Sequence, residues 1–437
     1  MKGIVVHYLL PRSILCLIIC IIVGCGGYSA STQKSRQALL RGNAQAAIQS
    51  LNAQIDENSK SSEQLLLALE RSIALLQVGD HQGAARDLRK ADEGLELLDY
   101  TKANLKELAV YLYSDDSAPY RPPPFEKAMI NLFGVINYLA LAEWSSARVE
   151  SRRLEVLSSF WQGELDQSHH QELVHVKKLI HWMNAFTYMV NGDLDLAKKE
   201  AERGHFALPL VPQKPLGKKY SPVLIISSSG MVPHKRAQRL ALGRALLYIG
   251  PHHSWSRAER AKLARIQAKG LMKWLNFPSL APSVSGGSES CLLNNQDVSP
   301  LLSISLSQLV QKDFKRSSPL FMVAAISRLL SRVALGALGE EIGKKVKGSA
   351  VGLLVGLITE GSLAIADTPD TRSWTTLPDQ VKLYWFWLPP GDHRIKLDNS
   401  RYHGQVNLRV KGDGHPLVLT FPRPNSSSSS AMTQNFQ

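Results

Sequence analysis

Four times in the first half of the chain a small residue stands five positions ahead of an alanine: Gly42/Ala47, Gly79/Ala84, Ala142/Ala147 and Gly192/Ala197. From about Thr32 to Arg203 the surrounding residues are rich in Ala, Leu, Glu, Gln and Lys, and apolar positions return at helical spacing. Gly-Asn or Gly-Asp breaks a first helix. The alanine then lets a second helix approach closely, and Leu75, Tyr138 or Tyr188, four positions before the small residue, closes the pair. This spacing commits the segment to antiparallel helical hairpins, because neither helix of such a pair can bury its apolar stripe alone.

The pattern resembles the tetratricopeptide (TPR) repeat, whose helix pairs stack into a superhelix with a concave binding face. The intervals between units are 37, 63 and 50 residues, against about 34 in that repeat. The expected fold class is mainly α: a TPR-like helical-repeat domain over 32–207, a mixed segment over 208–277 continuing the helical body, and a small C-terminal antiparallel β-domain over 371–423. Between them, 278–300 is rich in Pro, Gly and Ser and reads as a linker, and 301–370 reads as an apolar helical segment.

Within that segment Gly348, Gly352 and Gly356 fall on one helical face. The apolar run is too short to span a bilayer, which takes about 20 residues. A tightly packed buried helix is the default reading, with membrane contact the alternative. From Val381 onward, alternating runs at Val381–Trp387, His393–Leu397, Gln405–Val410 and Leu417–Phe421, separated by Pro-Gly and Asp-Gly turns, predict strands. The aromatic run Tyr384–Trp387 reads as core before binding strip. The Ser-rich tail 424–437 is expected to be disordered.

The N-terminus carries an address. Lys2 and Arg12 precede an apolar run from Ile14 to Val23, ending Val23-Gly24-Cys25. Its length suits an export signal of about 7–15 apolar residues, and its end resembles the bacterial lipobox, with cleavage after Gly24 and lipid on the Cys25 thiol. The alternatives are an uncleaved anchor or cleavage at another small residue. The resemblance implies a signal peptide over 1–24, a lipidated tether over 25–31, and diacylglycerol plus an N-acyl (palmitate-type) chain on Cys25, with no other cofactor. In a Gram-negative cell Gly26 points to the outer membrane, facing the periplasm. With Cys16 and Cys20 removed and Cys25 acylated, Cys291 alone remains, so no intramolecular disulfide can form.

The stretch Tyr120, Glu126, Asn131, Tyr138 and Ala147-Arg148-Val149-Glu150-Ser151-Arg152-Arg153 concentrates charge on helices. Glu150 and Arg153 are neighbours on a helix, as are Arg148 and Arg152. An ion-pair network locking adjacent helices is the favoured reading, with a pocket for an anionic ligand as the alternative. Together with Gly230-Met231-Val232-Pro233, the segment Asp370-Thr371-Arg372-Ser373-Trp374 and Leu388-Pro389-Pro390-Gly391, this stretch resembles a family of uncharacterised TPR-containing bacterial lipoproteins. The resemblance implies an envelope location and no reaction.

The residues supply no His-Glu-x-x-His metal motif, no Gly-x-Ser-x-Gly elbow and no phosphate loop. His169, His170, His175 and His181 lack ligand-pair spacing. A formal charge of +14, from 51 Lys and Arg against 37 Asp and Glu, favours anionic partners, yet no single basic helix collects it, so nucleic acid is an unlikely ligand. The expected function is a non-enzymatic envelope lipoprotein that binds a protein partner through its helical body. The alternative is an accessory part of a secretion or polysaccharide-export machine.

Overall fold

A computed structural model of the chain describes residues 27–59, 61–100, 119–164, 167–209, 219–242, 244–245, 256–268, 274–347, 368–399 and 402–421. The leader with Gly24 and Cys25, the glycine-spaced run 348–359 and the Ser-rich tail lie outside these. Among the described residues helices predominate, and ten strands form three sheets.

The first turn, α1 (Tyr28–Ser31), leads into four helical hairpins: α2 (Gln33–Leu40) with α3 (Ala44–Asn52), α4 (Ser62–Gln77) with α5 (His81–Tyr100), α6 (Pro124–Ala140) with α7 (Trp144–Glu164), and α8 (Gln167–Val190) with α9 (Leu194–Gly204). Each turn uses a left-handed residue, Gly42, Gly79, Ala142 or Gly192, with φ between 57° and 82°. Ala47, Ala84, Ala147 and Ala197 are fully buried where the paired helices meet. Pro124 sits in the first turn of α6, where its missing N–H leaves no helical bond unmade.

Three further helical and strand groups complete the fold. A central four-stranded sheet has the order β10-β1-β7-β6, built from β1 (Ser221–Ser229), β6 (Leu302–Ser305), β7 (Gln380–Leu388) and β10 (Leu417–Phe421). A second sheet, β5-β4-β8-β9, comprises β4 (Glu289–Leu293), β5 (Gln296–Val298), β8 (Gly391–Asn399) and β9 (Tyr402–Val410). The ribbon of β2 (Lys235–Ala241) and β3 (Trp274–Leu280) packs with α10 (Arg257–Ala268) on α11 (Leu306–Lys347) around Leu263, Phe277, Met322 and Ile326. Among the described residues no helix is long and apolar enough to cross a membrane.

The central sheet is buried on both faces, and the two-residue period of a strand divides its side chains. Leu224, Ile226, Leu383 and Trp385 face the helical hairpins. Val223, Ile225, Tyr384 and Leu388 face Ile395, Leu397, Val406 and Leu408 of the second sheet. Trp385 meets Phe186 edge-on, with ring centroids 5.1 Å apart at 84°. The result is a layered stack of helices, sheet and sheet.

This corrects the expected architecture in several places. The chain is not a mainly α protein with TPR-like repeats ahead of a separate antiparallel β-domain. Its hairpins pair helices of 8 with 9, 16 with 20, 17 with 21 and 24 with 11 residues, so no constant unit exists to stack as a TPR superhelix. The "mixed segment" supplies β1, which pairs antiparallel with β7 and parallel with β10, so the C-terminal strands cannot form a sheet of their own. Residues 278–300, expected as a linker, carry the end of β3 and the β4–β5 hairpin. That hairpin turns on Asn294 and Asn295, both at positive φ, the geometry of a tight two-residue turn. Cys291 is buried there, opposite Leu397, with its thiol pushed up to about 12 by burial and by Glu289 and Asp297. Finally, the expected tether is folded from Tyr28: its ring is 6% exposed and its hydroxyl donates to Glu70.

Candidate functional site

The eight candidate residues separate into two places. Tyr120 and Glu126 lie at the start of α6, inside the body. There the Tyr120 hydroxyl donates to Glu126 Oε2, and the Trp374 backbone N–H donates to Glu126 Oε1 at 3.2 Å. Burial, partly offset by these two hydrogen bonds, pushes the Glu126 carboxyl up to about 7.

Next to it Glu70 accepts the Thr375 N–H, the Thr375 hydroxyl and the Thr376 N–H, each at 2.8 Å. Burial raises its carboxyl as well, against those same hydrogen bonds. Trp374 is 1% exposed and lies 5.9 Å from the Phe133 ring. The pair of glutamates therefore clamps the segment after Asp370 against the helices. Sequence offered no sign of this pairing: Glu70 reads as one charge on an amphipathic helix, and nothing local points to a partner some 300 residues away.

The other six residues border a cleft of about 1250 Å³ between α5, α6, α7, α8 and α9, with Asn131, Arg148, Arg152 and Arg153 lining it. Tyr138 and Glu150 sit just beneath, in a small recess shared with Arg153 and Asn131. Asn131 donates to Asp92 and to Glu150, both at 3.2 Å. Arg153 reaches Asp92 at 3.0 Å and Glu150 at 3.5 Å. Burial raises the Glu150 carboxyl while Arg153 opposes it. Tyr138 accepts a hydrogen bond from Arg89.

Arg148 and Arg152, neighbours on α7, take different carboxylates: Arg148 pairs with Asp193 on the α8–α9 turn at 2.7 Å, and Arg152 with Glu155 at 2.6 Å. Burial by itself would raise the Glu155 carboxyl, but Arg203 and Arg152 hold it below the ordinary range. The ion-pair network thus exists and ties α5, α7 and α9 together. Its arginines stay about half exposed, with side-chain exposures of 45% to 67%, so their outer edges face the cleft.

The cleft floor is aliphatic. Ile130, Val149, Val156, Leu157 and Leu196 line it, and Val149 and Val156 are 55% and 62% exposed. A seven-residue spacing places both valines on one stripe of α7. The charge of the stretch masks this stripe in the sequence, where the seven-residue spacing of the two valines is the signal that points to it. Lys127, Arg148, Arg152 and Arg153 line the cleft with Asp92; the three arginines are each ion-paired on their inner side, so the rim presents guanidinium edges above an apolar base. Among the described residues no group of three or more His, Cys, Asp or Glu is placed to hold a metal ion.

Comparison with known proteins finds no matching family model, no matching curated protein and no matching solved structure.

Proposed function

We propose that the chain is a non-enzymatic envelope lipoprotein, held at a membrane by lipid on Cys25, whose α5–α9 cleft binds a segment of a partner protein. The observation that carries the partner reading is the cleft itself: exposed Val149 and Val156 in its base, with Arg148, Arg152 and Arg153 around them. Exposed aliphatic side chains in a concavity of this size mark a binding surface. A rim of guanidinium edges selects a partner segment that carries carboxylates beside its aliphatic side chains. The ion pairs that fix each arginine on its inner side set the rim in place before binding, which limits the ordering entropy lost on association.

Two measurements test the two halves. Mass spectrometry of the membrane-extracted protein should show an N-terminus at Cys25 bearing acyl mass, absent in Cys25→Ala. An unmodified N-terminus removes the anchor. A photocrosslinking residue at position 156 in cells should give one discrete protein adduct that Val149→Glu suppresses. Adducts that ignore Val149→Glu remove the cleft as the binding surface.

A further inference from the structure

The positive charge of the chain is unevenly placed. No Asp or Glu occurs between Gly27 and Ile55, where Lys34, Arg36 and Arg41 stand, and none occurs between Arg203 and Ala258, where Lys235, Arg236, Arg239 and Arg244 stand. The fold brings these two acid-free segments together: α1 lies against β2.

The arrangement at that contact is cationic and open on its outer side. Lys34, Arg41, Arg236 and Arg239 are exposed, as is Gln238 between the last two. The Lys235 ammonium is steadied over the Phe321 ring at 5.3 Å, and Arg236 Nε donates to the Ser279 hydroxyl at 3.4 Å, which leaves its charge unneutralised. Arg36 Nη1 is buried with no hydrogen-bond partner. His234, between these groups, is driven down to about 4 by burial and then by Arg36 and Arg236. Two carboxylates near this contact are turned inward: Glu70 is taken up by Tyr28, Thr375 and Thr376, and Glu126 by Tyr120 and Trp374; Glu63, which also acts on Tyr28, stays exposed.

Gly27, which opens α1, lies at this same edge. Cys25 precedes Gly27 by two residues, which reach about 7 Å fully extended, less than the Debye length of about 8 Å at physiological ionic strength. A lipid on Cys25 therefore cannot hold the body clear of the bilayer; it presses this edge onto the headgroups. We infer that the α1–β2 edge, with exposed Lys34, Arg41 and Arg236 around half-buried Arg36, is a docking surface for a bilayer leaflet carrying anionic phospholipids. The inference rests on the lipid-anchor reading for its geometry. Its consequence is an orientation: one fixed face lies down on the membrane, and the body does not swing on a flexible tether. Each basic side chain held near an anionic surface is worth about fivefold in partitioning.

The test uses the full-length protein, detergent-extracted and reconstituted into vesicles of phosphatidylcholine alone or of equal parts phosphatidylcholine and phosphatidylglycerol. Gln238→Cys carries an environment-sensitive fluorophore, and the vesicles carry a headgroup-attached quencher; buried Cys291 stays unlabelled. The expected result is quenching in phosphatidylglycerol vesicles that is lost in phosphatidylcholine or in molar salt, and lost again in Lys34→Glu/Arg236→Glu. Should those charge reversals unfold the ribbon, salt titration of the singly labelled protein discriminates equally well without them. Equal signals in both vesicle types overturn the surface. Mass spectrometry of the same sample separates the two claims. Acyl mass without lipid-dependent quenching leaves the anchor and removes the surface. Lipid-dependent quenching without acyl mass, repeated with Cys16, Cys20 and Cys25 replaced by serine so that Gln238→Cys alone carries the label, keeps the surface and removes the anchor.

Discussion

Glu70 and Thr375, 305 residues apart in the chain, are joined by two 2.8 Å hydrogen bonds to a single carboxylate oxygen. The other oxygen takes the Thr376 N–H, so one buried side chain satisfies three donors of a segment that has neither helix nor strand to satisfy them. Glu70→Ala should destabilise the protein by about 3–5 kcal/mol, because it strands buried polar groups. Glu70→Gln should lose about 1–3 kcal/mol, since its amide nitrogen must face an N–H. Urea unfolding of the three proteins checks the order; equal midpoints would remove the clamp from the stability account.

The neighbouring Glu126 makes stability depend on pH. Its folded carboxyl titrates at about 7 against 4.5 for an ordinary glutamate. A folded value above the unfolded one means that its contribution is complete below about pH 4.5 and lost as pH rises through about 7. The loss amounts to about 3 kcal/mol, and buried Glu70 shifts in the same direction. The thermal midpoint should therefore fall between mildly acidic and mildly alkaline buffer. Glu126→Gln should flatten that slope, and a slope unchanged in the variant would assign it to other groups.

Some of this was legible from sequence and some was not, and the division follows contact range. The helical hairpins are local: a left-handed residue at Gly42, Gly79 or Gly192 and a buried alanine five positions later suffice to announce them. Strands β7 to β10 announce themselves by alternation. Strand β1 shows as an apolar run because it is buried on both faces, but nothing in the run says that its neighbours lie near residues 384 and 419. The β4–β5 turn had a local signal, Asn294-Asn295, obscured by the surrounding Pro, Gly and Ser. Of the site, the arginines and Glu150 were visible as helix neighbours, whereas Asp92, Asp193 and Tyr188 come from other helices and required the fold.

Val149 and Val156 separate binding from folding. Both are more than half exposed, so glutamate at either should change stability by no more than about 0.5 kcal/mol. Either substitution places a carboxylate in the apolar base, where it would engage the arginine rim and repel an acidic partner. Crosslinked adduct should fall by about tenfold or more while the melting curve stays in place, consistent with loss of one central interface contact. A melting curve that drops with the adduct would mean that the valines belong to the core.

Gly230 tests the junction between the central sheet and the ribbon. It follows β1 with φ +69°, and a Cβ there would lie 2.4 Å from the Val284 carbonyl oxygen and 2.5 Å from the Gly286 nitrogen. Both neighbours are backbone and cannot swing aside. Gly230→Ala should destabilise by about 2 kcal/mol or more, read as a lowered thermal midpoint. No change would show that the Met231–Val284 bridge is dispensable.

The pairing of β1 with β10 sets an order on folding. Residues 221–229 leave the ribosome almost 200 residues before 417–421, and the parallel ladder between them cannot close until the later strand exists. The helical hairpins, built from neighbours in sequence, can form early. The sheet beneath them must wait with Val223 and Ile225, which the later strands cover, exposed. A chain stopped short of residue 421 is thus left with an open, sticky sheet edge, and truncation from the C-terminus should give aggregation in place of a smaller soluble body.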